Sequence, residues 1–233
     1  SEVIVVSSSM AYRSFGRFWQ ASAPATIRRL LRLHHPFPGI ALDEAFVGGA
    51  PKYRKGVKNK RGRGTKKQIV LVAATRTGQA RAARVPSGRA VDIRPVLDRW
   101  TDPSSTTLMS DRGSTFRAIG RGYQAHHAVK HSAKQFVNTA TDAHINTVEA
   151  FSGYVERARV GVWHRLTGAH VQRYLNELCW RWNRRQSSTR IAANGGRHIV
   201  WKPLPLMDLM RELLANATGR QIRRSSNYGF RVV

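Results

Sequence analysis

A chain of 233 residues with 41% hydrophobic content can bury one sizeable α/β domain with extensions, or two small domains, which excludes wholesale disorder. Arg and Lys number 40 against 13 acids, for a formal charge of +27. So much positive charge must face solvent or a polyanion, and nucleic acid is the polyanion it fits best. Charge alone suits an enzyme acting on nucleic acid and a structural ribosomal or chromatin-like binder equally.

No apolar window of 18 residues occurs, which excludes a transmembrane helix. The single cysteine, Cys179, excludes an internal disulfide and a cysteine-based zinc site, and points to a reducing compartment, the cytoplasm. The opening SEVIVVSSSMAY lacks a basic start followed by a long apolar run, so no secretory signal is expected. Without an initiator Met it reads as a fragment or a processed chain.

In chain order, residues 1–38 show weak organisation: ATIRRLLRL (25–33) suits a short basic helix, broken by His34-His35-Pro36-Phe37-Pro38-Gly39. Residues 40–48 (IALDEAFVG) read as a strand holding two acids. A Gly- and Lys/Arg-rich loop follows over 49–67. Nine of the sixteen residues from 52 to 67 are basic: Lys52, Arg54, Lys55, Lys58, Lys60, Arg61, Arg63, Lys66 and Lys67. They suit salt-sensitive, sequence-independent contacts to DNA phosphates, and equally a solvated loop. QIVLVAATR (68–76) is an almost unbroken apolar run, a strand buried on both faces. Thr77-Gly78 then turns the chain into a hairpin strand over 79–87.

The spacing of Val91, Ile93, Val96, Leu97 and Trp100 predicts a helix over 89–100, and TTLMSD (106–111) a short strand ending on an acid. HHAVKH (126–131) predicts a further strand. From Ala143 the pattern turns helical, with Ile145, Val148, Ser152 and Val155 on one stripe. Thr167 suits an N-cap for a second helix, whose core face carries Val171, Tyr174, Leu175, Leu178 and Trp182. Residues 183–198, polar and Gly-rich, read as the end of the domain. LMDLMRELL (206–214) predicts one amphipathic helix in a basic tail. Three early strands can form an antiparallel meander, and the later strands, alternating with helices, can pair in parallel.

In so basic a chain the carboxylates draw notice. Asp43 and Glu44 point to opposite faces of their strand, so only one can enter a shared cleft. Asp111 ends a strand and Glu149 lies on a helix. Three carboxylates on separate elements suit Mg²⁺ and its hard oxygen ligands, and two such ions suit phosphodiester chemistry. The ordinary alternative is a turn at Asp111-Arg112-Gly113 and a surface acid at Glu149. Trp163, Trp180 and Trp182 suit core positions at helical spacing, and His144 and His164 structural roles, although stacking on bases and contact with phosphate remain open to them. Asn183-Arg184-Arg185 suits a basic helix C-terminus that also touches DNA.

Several motifs in order carry a family resemblance. Residues 41–49 (ALDEAFVGG), the basic RGRGTKKQ (61–68), MSDRGSTFRAIG (109–120), HHAVKHSAKQFVN (126–138) and HINTVEAFSGYVERARVGVWHRLTGAHVQRYLNELCWRWNRR (144–185) together resemble the ISXO2-like transposase domain of IS1595-type insertion sequences over residues 40–186. The resemblance implies an α/β, RNase H-like mixed sheet flanked by helices, over residues 39–186. Residues 1–38 are then an extension left from a DNA-binding region, and 187–233 a basic tail.

It also implies a DDE-type enzyme that cleaves DNA and joins strands at insertion-sequence ends, acting as a homo-oligomer on those ends and on target DNA. Asp43, Asp111 and Glu149 would be its catalytic and metal-ligating acids, holding two Mg²⁺ or Mn²⁺ ions, with Asn146 an alternative third ligand. Asp43 and Asp111 stand 68 residues apart, and Asp111 and Glu149 38.

The chain departs from the family pattern in three places. Glu156 stands where the family has Lys, with Arg157 and Arg159 as substitutes to contact DNA. Ala150 and Ser152 replace Gly and Trp. The zinc ribbon and helix-turn-helix of full-length relatives are not seen in residues 1–38. These departures keep two other functions open: an inactive relic that binds nucleic acid as a structural protein, and a nuclease or resolvase of the same fold.

Overall fold

The computed structural model describes residues 39–49, 55–56, 58, 60, 62–111, 113–129, 137–138, 143–163, 168, 170–193, 195–217, 222–224 and 230–232. The expected basic helix at 25–33 and the Thr167 cap lie outside them. The described chain divides into two compact units, at Leu175/Asn176.

The first unit is built on a five-stranded sheet. β1 (Ile40–Val47), β2 (Gln68–Thr75) and β3 (Ala80–Val85) form an antiparallel meander, and β4 (Thr107–Asp111) and β5 (Ala125–Val129) join in parallel. The strand order is β3-β2-β1-β4-β5, so β1 is central. The β2–β3 turn uses Gly78 at φ 85°, backbone that glycine adopts without a Cβ penalty. Between β3 and β4 lies helix α1 (Ala90–Leu97), and between β4 and β5 lies α2 (Ser114–Gly120). Two-residue strands β6 (Val137–Asn138) and β7 (Ala143–His144) pair beside the entry to α3 (Asn146–Ala158).

Alternation along the strands sorts their side chains into two layers. Ile40, Leu42, Leu71, Ala73, Val85 and Leu108 meet α1 and α2 through Ile93, Leu97, Phe116 and Ile119. The opposite face carries Ala41, Asp43, Val72, Met109 and Asp111, and α3 lies across β1 and β2 on that side. Val148, Phe151 and Val155, spaced three and four apart, are its buried stripe. A mixed sheet in this order with helices on both faces is the RNase H-like arrangement that the resemblance implies.

The second unit begins within α4 (Val171–Asn183). Residues 183–198, read from the sequence as the end of the domain, carry regular structure: β8 (Arg185–Ile191) and β9 (Arg197–Pro203) make an antiparallel ribbon, followed by α5 (Leu206–Ala217) and the short pair β10 (Ile222–Arg224) and β11 (Phe230–Val232). The ribbon escapes a hydrophobic-pattern reading because its apolar residues are few, with Ile191 alone in β8 and Ile199, Val200 and Trp201 consecutive in β9. Among the described residues no helix is long and apolar enough to cross a membrane.

Candidate active site

The parallel pairing of β1 with β4 fixes the first two acids. Ile40 registers with Leu108 and Ala41 with Met109, an offset of 68, since 108 − 40 = 68. The same offset separates Asp43 from Asp111. Two residues beyond the last paired positions the acids are close enough that the charge of Asp111 bears on the Asp43 carboxyl. Glu44, one residue on, belongs to the other face.

Local backbone aims each carboxylate. Asp43 Oδ1 accepts the Glu44 N–H at 2.8 Å. Asp111 Oδ1 accepts the Gly113 N–H at 3.0 Å, closing a tight turn at the mouth of α2. A Cβ at Gly113 would stand 2.9 Å from that same oxygen. Asp111 and Gly113 therefore depend on each other: position 113 must lack a side chain for the Asp111 carboxylate to keep this position.

Helix α3 brings the third acid. Glu149 is in its first turn, exposed, on the same face as Ser152, one turn along. The Ser152 hydroxyl donates to Asp43 Oδ2 at 3.4 Å, spanning 109 residues of sequence. The Asp43 carboxyl is pushed up from 3.8 to about 6, first by burial, then by the negative charges of Asp111 and Glu149. The Glu44 N–H and Ser152 hydroxyl act in the opposite direction. The three acids thus share one electrostatic field. Among the described residues no three His, Cys, Asp or Glu side chains are drawn together tightly enough to hold an ion as they stand. Asn146 opens α3 exposed, one turn before Glu149; no charge or hydrogen bond links it to Asp43.

Glu156 sits two turns beyond Glu149. It binds Arg159, whose Nε donates to Glu156 Oε2 at 2.8 Å, with a second, shorter contact from Nη2 to Oε1. Arg159 and the nearby Lys67 ammonium hold the Glu156 carboxyl below its usual range. Of the two expected substitutes for lysine, Arg159 is engaged by Glu156 and Arg157 is exposed. In the basic loop Lys55, Lys58, Lys60 and Lys66 are exposed and Lys67 is half-buried. Arg63 lies in a short 3-10 turn, Gly62–Gly64. Lys52, Arg54 and Arg61 lie outside the described residues.

The expected tryptophan roles divide. Trp163 packs its ring 4.7 Å from that of Tyr174, and Trp182 is buried. Arg185 lies 3.3 Å over the Trp182 ring and donates from Nε to the Trp182 carbonyl. Arg184 pairs with Glu212. Both arginines expected at the helix end thus have structural partners. His144 is half-buried and His164 lies outside the described residues. Sequence reasoning singled out neither Gly113 nor Ser152 as a partner of the acids. For Ser152 the available signal was its three-residue spacing from Glu149.

The sequence pattern of the ISXO2-like transposase domain matches residues 39–183, more than half of the chain. No curated protein matches. Among solved structures the chain is similar to the Mos1 transposase paired-end complex with left transposon end, at 13% identity and TM-score 0.26, covering 79% of this chain and 64% of that one. It is also similar to a pre-cleavage Mos1 transpososome, at 12% identity and TM-score 0.26, covering 72% and 61%. The chain thus spans less than two thirds of these structural relatives. By the match over its β1–α4 core, this chain belongs to the ISXO2-like transposase domain family.

Proposed function

We propose that the chain is the catalytic part of a DDE-type transposase, cutting DNA at insertion-sequence ends and joining the freed ends to target DNA. The observation that carries this reading is that three acids from separate elements meet electrostatically: the half-buried Asp43 carboxyl is pushed up to about 6, first by burial and then by the charges of Asp111 and Glu149. Repelling carboxylates on three separate elements are costly unless a cation relieves them. Their oxygens fit a hard divalent ion in type, and closing on it takes side-chain movement. Asp43 and Asp111 would hold Mg²⁺ or Mn²⁺ from the sheet, and Glu149 from the helix, with Asn146 the weaker candidate. Two bound ions supply charge stabilisation to the attacking and leaving oxygens of an in-line displacement.

In the overall reaction, water first cleaves one phosphodiester, leaving a 3′-hydroxyl. That hydroxyl then displaces a target-strand 3′-oxygen, so one ester bond forms as another breaks. Lys55, Lys58, Lys60, Lys66 and Arg157 are placed in solvent to meet phosphates. The protein would act as a homo-oligomer at the nucleoid in the bacterial cytoplasm, where a lone, buried Cys179 stays reduced.

The test is Mn²⁺-dependent nicking and strand transfer on labelled duplex, wild type beside Asp111→Ala. Activity in the wild type and loss in the variant are expected, and full activity in the variant would sink the assignment. A second reading draws on the Glu156–Arg159 pair, which takes up a cation that could otherwise meet DNA: an inactive, nucleic-acid-binding relic. It predicts tight binding with no nicking in either protein.

A further inference from the structure

The β8–β9 ribbon lies beyond the residues matched to the family, which end at 183. Every side chain in it is exposed except half-buried Arg185 and Val200. A bare two-stranded ribbon is marginal in water, so this one gains from a partner. The register pairs Gln186 with Lys202, Ser188 with Val200 and Arg190 with His198. Alternation therefore gathers Gln186, Ser188, Arg190, His198 and Lys202 on one face, around the half-buried Val200, with Arg185 and Arg197 on the opposite face. Ile191, Ile199 and Trp201 take the other. Residues 185–203 include Arg185, Arg190, Arg197 and Lys202 and no acid. The tip, AANGG (192–196), is built of small residues and turns on Gly195 at φ 76°.

We propose that this ribbon enters the major groove of duplex DNA, with Gln186, Arg190, His198 and Lys202 turned to the base edges. The proposal rests on the reading that the chain acts on DNA. The dimensions favour the major groove. A two-stranded ribbon enters a major groove ~12 Å wide without deforming the duplex, whereas a minor groove ~6 Å wide must first be opened. The residue types suit that edge: Arg and Lys pair with guanine O6 and N7, and Gln with adenine N6 and N7. Duplex RNA is disfavoured because its A-form major groove is too narrow for side chains to read. The small tip lets the ribbon end pass between the phosphates.

The test measures binding of the full chain in EDTA to a random-sequence DNA duplex, to the same pool methylated at guanine N7, and to duplex RNA. An Arg190→Ala/His198→Ala/Lys202→Ala variant is measured beside wild type. Methylation is expected to weaken wild-type binding, and the triple variant to bind about tenfold or more weakly and to ignore methylation. Gln186→Ala is expected to shift the selected sequence while leaving the salt slope unchanged. Unchanged affinity on methylated DNA and in the triple variant would overturn the proposal, as would equal binding to duplex RNA. No metal is present, so the result is separate from catalysis. A ribbon that binds this way in a protein that never nicks counts against the transposase reading alone. Asp111-dependent nicking with an indifferent ribbon counts against the ribbon alone.

Discussion

Ser152 on α3 donates its hydroxyl to Asp43 Oδ2 on β1, a hydrogen bond between the helix that carries Glu149 and the strand that carries the first acid. A donor to a carboxylate favours its ionised form. Ser152→Ala is therefore expected to raise the Asp43 carboxyl further. Carbon-13 NMR of the Asp43 carboxyl would read this directly. The Mn²⁺ affinity profile should move to higher pH with it, while Ser152→Thr restores both. An unshifted Asp43 titration would show that the contact is incidental.

The raised Asp43 carboxyl sets the pH dependence of the metal-free fold. Folded protein binds more protons than unfolded between 3.8 and about 6. The stability Asp43 contributes is thus complete below 3.8 and lost as pH rises through about 6. The loss is on the order of 3 kcal/mol at about 1.4 kcal/mol per pKa unit. Asp43→Asn should raise Tm by several degrees at neutral pH and by nothing below 3.8. Divalent metal should raise the wild-type Tm above pH 6, EDTA should reverse that gain, and Asp43→Asn should abolish it. Equal metal stabilisation of both proteins would place the ion elsewhere.

Much of this was legible in the sequence, for reasons that differ by residue. The apolar run of β2 and the three- and four-residue spacing in α3 express burial, and burial is what hydrophobic pattern records. Asp43, Asp111 and Glu149 stood out because acids are scarce in so basic a chain. The nearness of Asp43 and Asp111 rests on the parallel pairing of β1 with β4, which no local pattern states: Ile40 pairs with Leu108, and across a 68-residue separation the charge of Asp111 then bears on Asp43. Glu156 stood out because it occupies a position where the family has Lys, but its partnership with Arg159 depends on rotamers. The β8–β9 ribbon was read as a domain end because its stability does not come from an apolar face of its own.

Gly113→Ala tests how closely the turn after β4 is tied to Asp111. The added Cβ would meet Asp111 Oδ1 at 2.9 Å, closer than carbon and oxygen tolerate. The carboxylate must then rotate and give up the Gly113 N–H. Because the turn is on the surface and precedes a short helix, the fold should survive with a loss of about 1 kcal/mol. Metal affinity and nicking should fall far more steeply, since a ligand displaced by ~1 Å can cost a hundredfold in rate. A proportionate loss of stability and activity, tracked by urea unfolding and nicking, would mean that the glycine serves the fold alone.

Glu156→Gln tests what the acid at this position does to DNA binding. In the wild type the Arg159 guanidinium is neutralised by Glu156, and the nearby Lys67 ammonium is drawn to the same carboxylate. Glutamine keeps the helix and the side-chain length but releases that charge. The exposed ion pair contributes little to stability, about 0–1 kcal/mol, so Tm should barely move. Binding to nonspecific duplex should tighten, and the plot of log affinity against log salt should steepen by about one unit for each phosphate newly neutralised. Glu156→Lys should go further in the same direction. If both variants bind DNA with the wild-type salt slope, this face of α3 does not reach the backbone. The DNA path would then have to run along the exposed lysines at 55–66 instead.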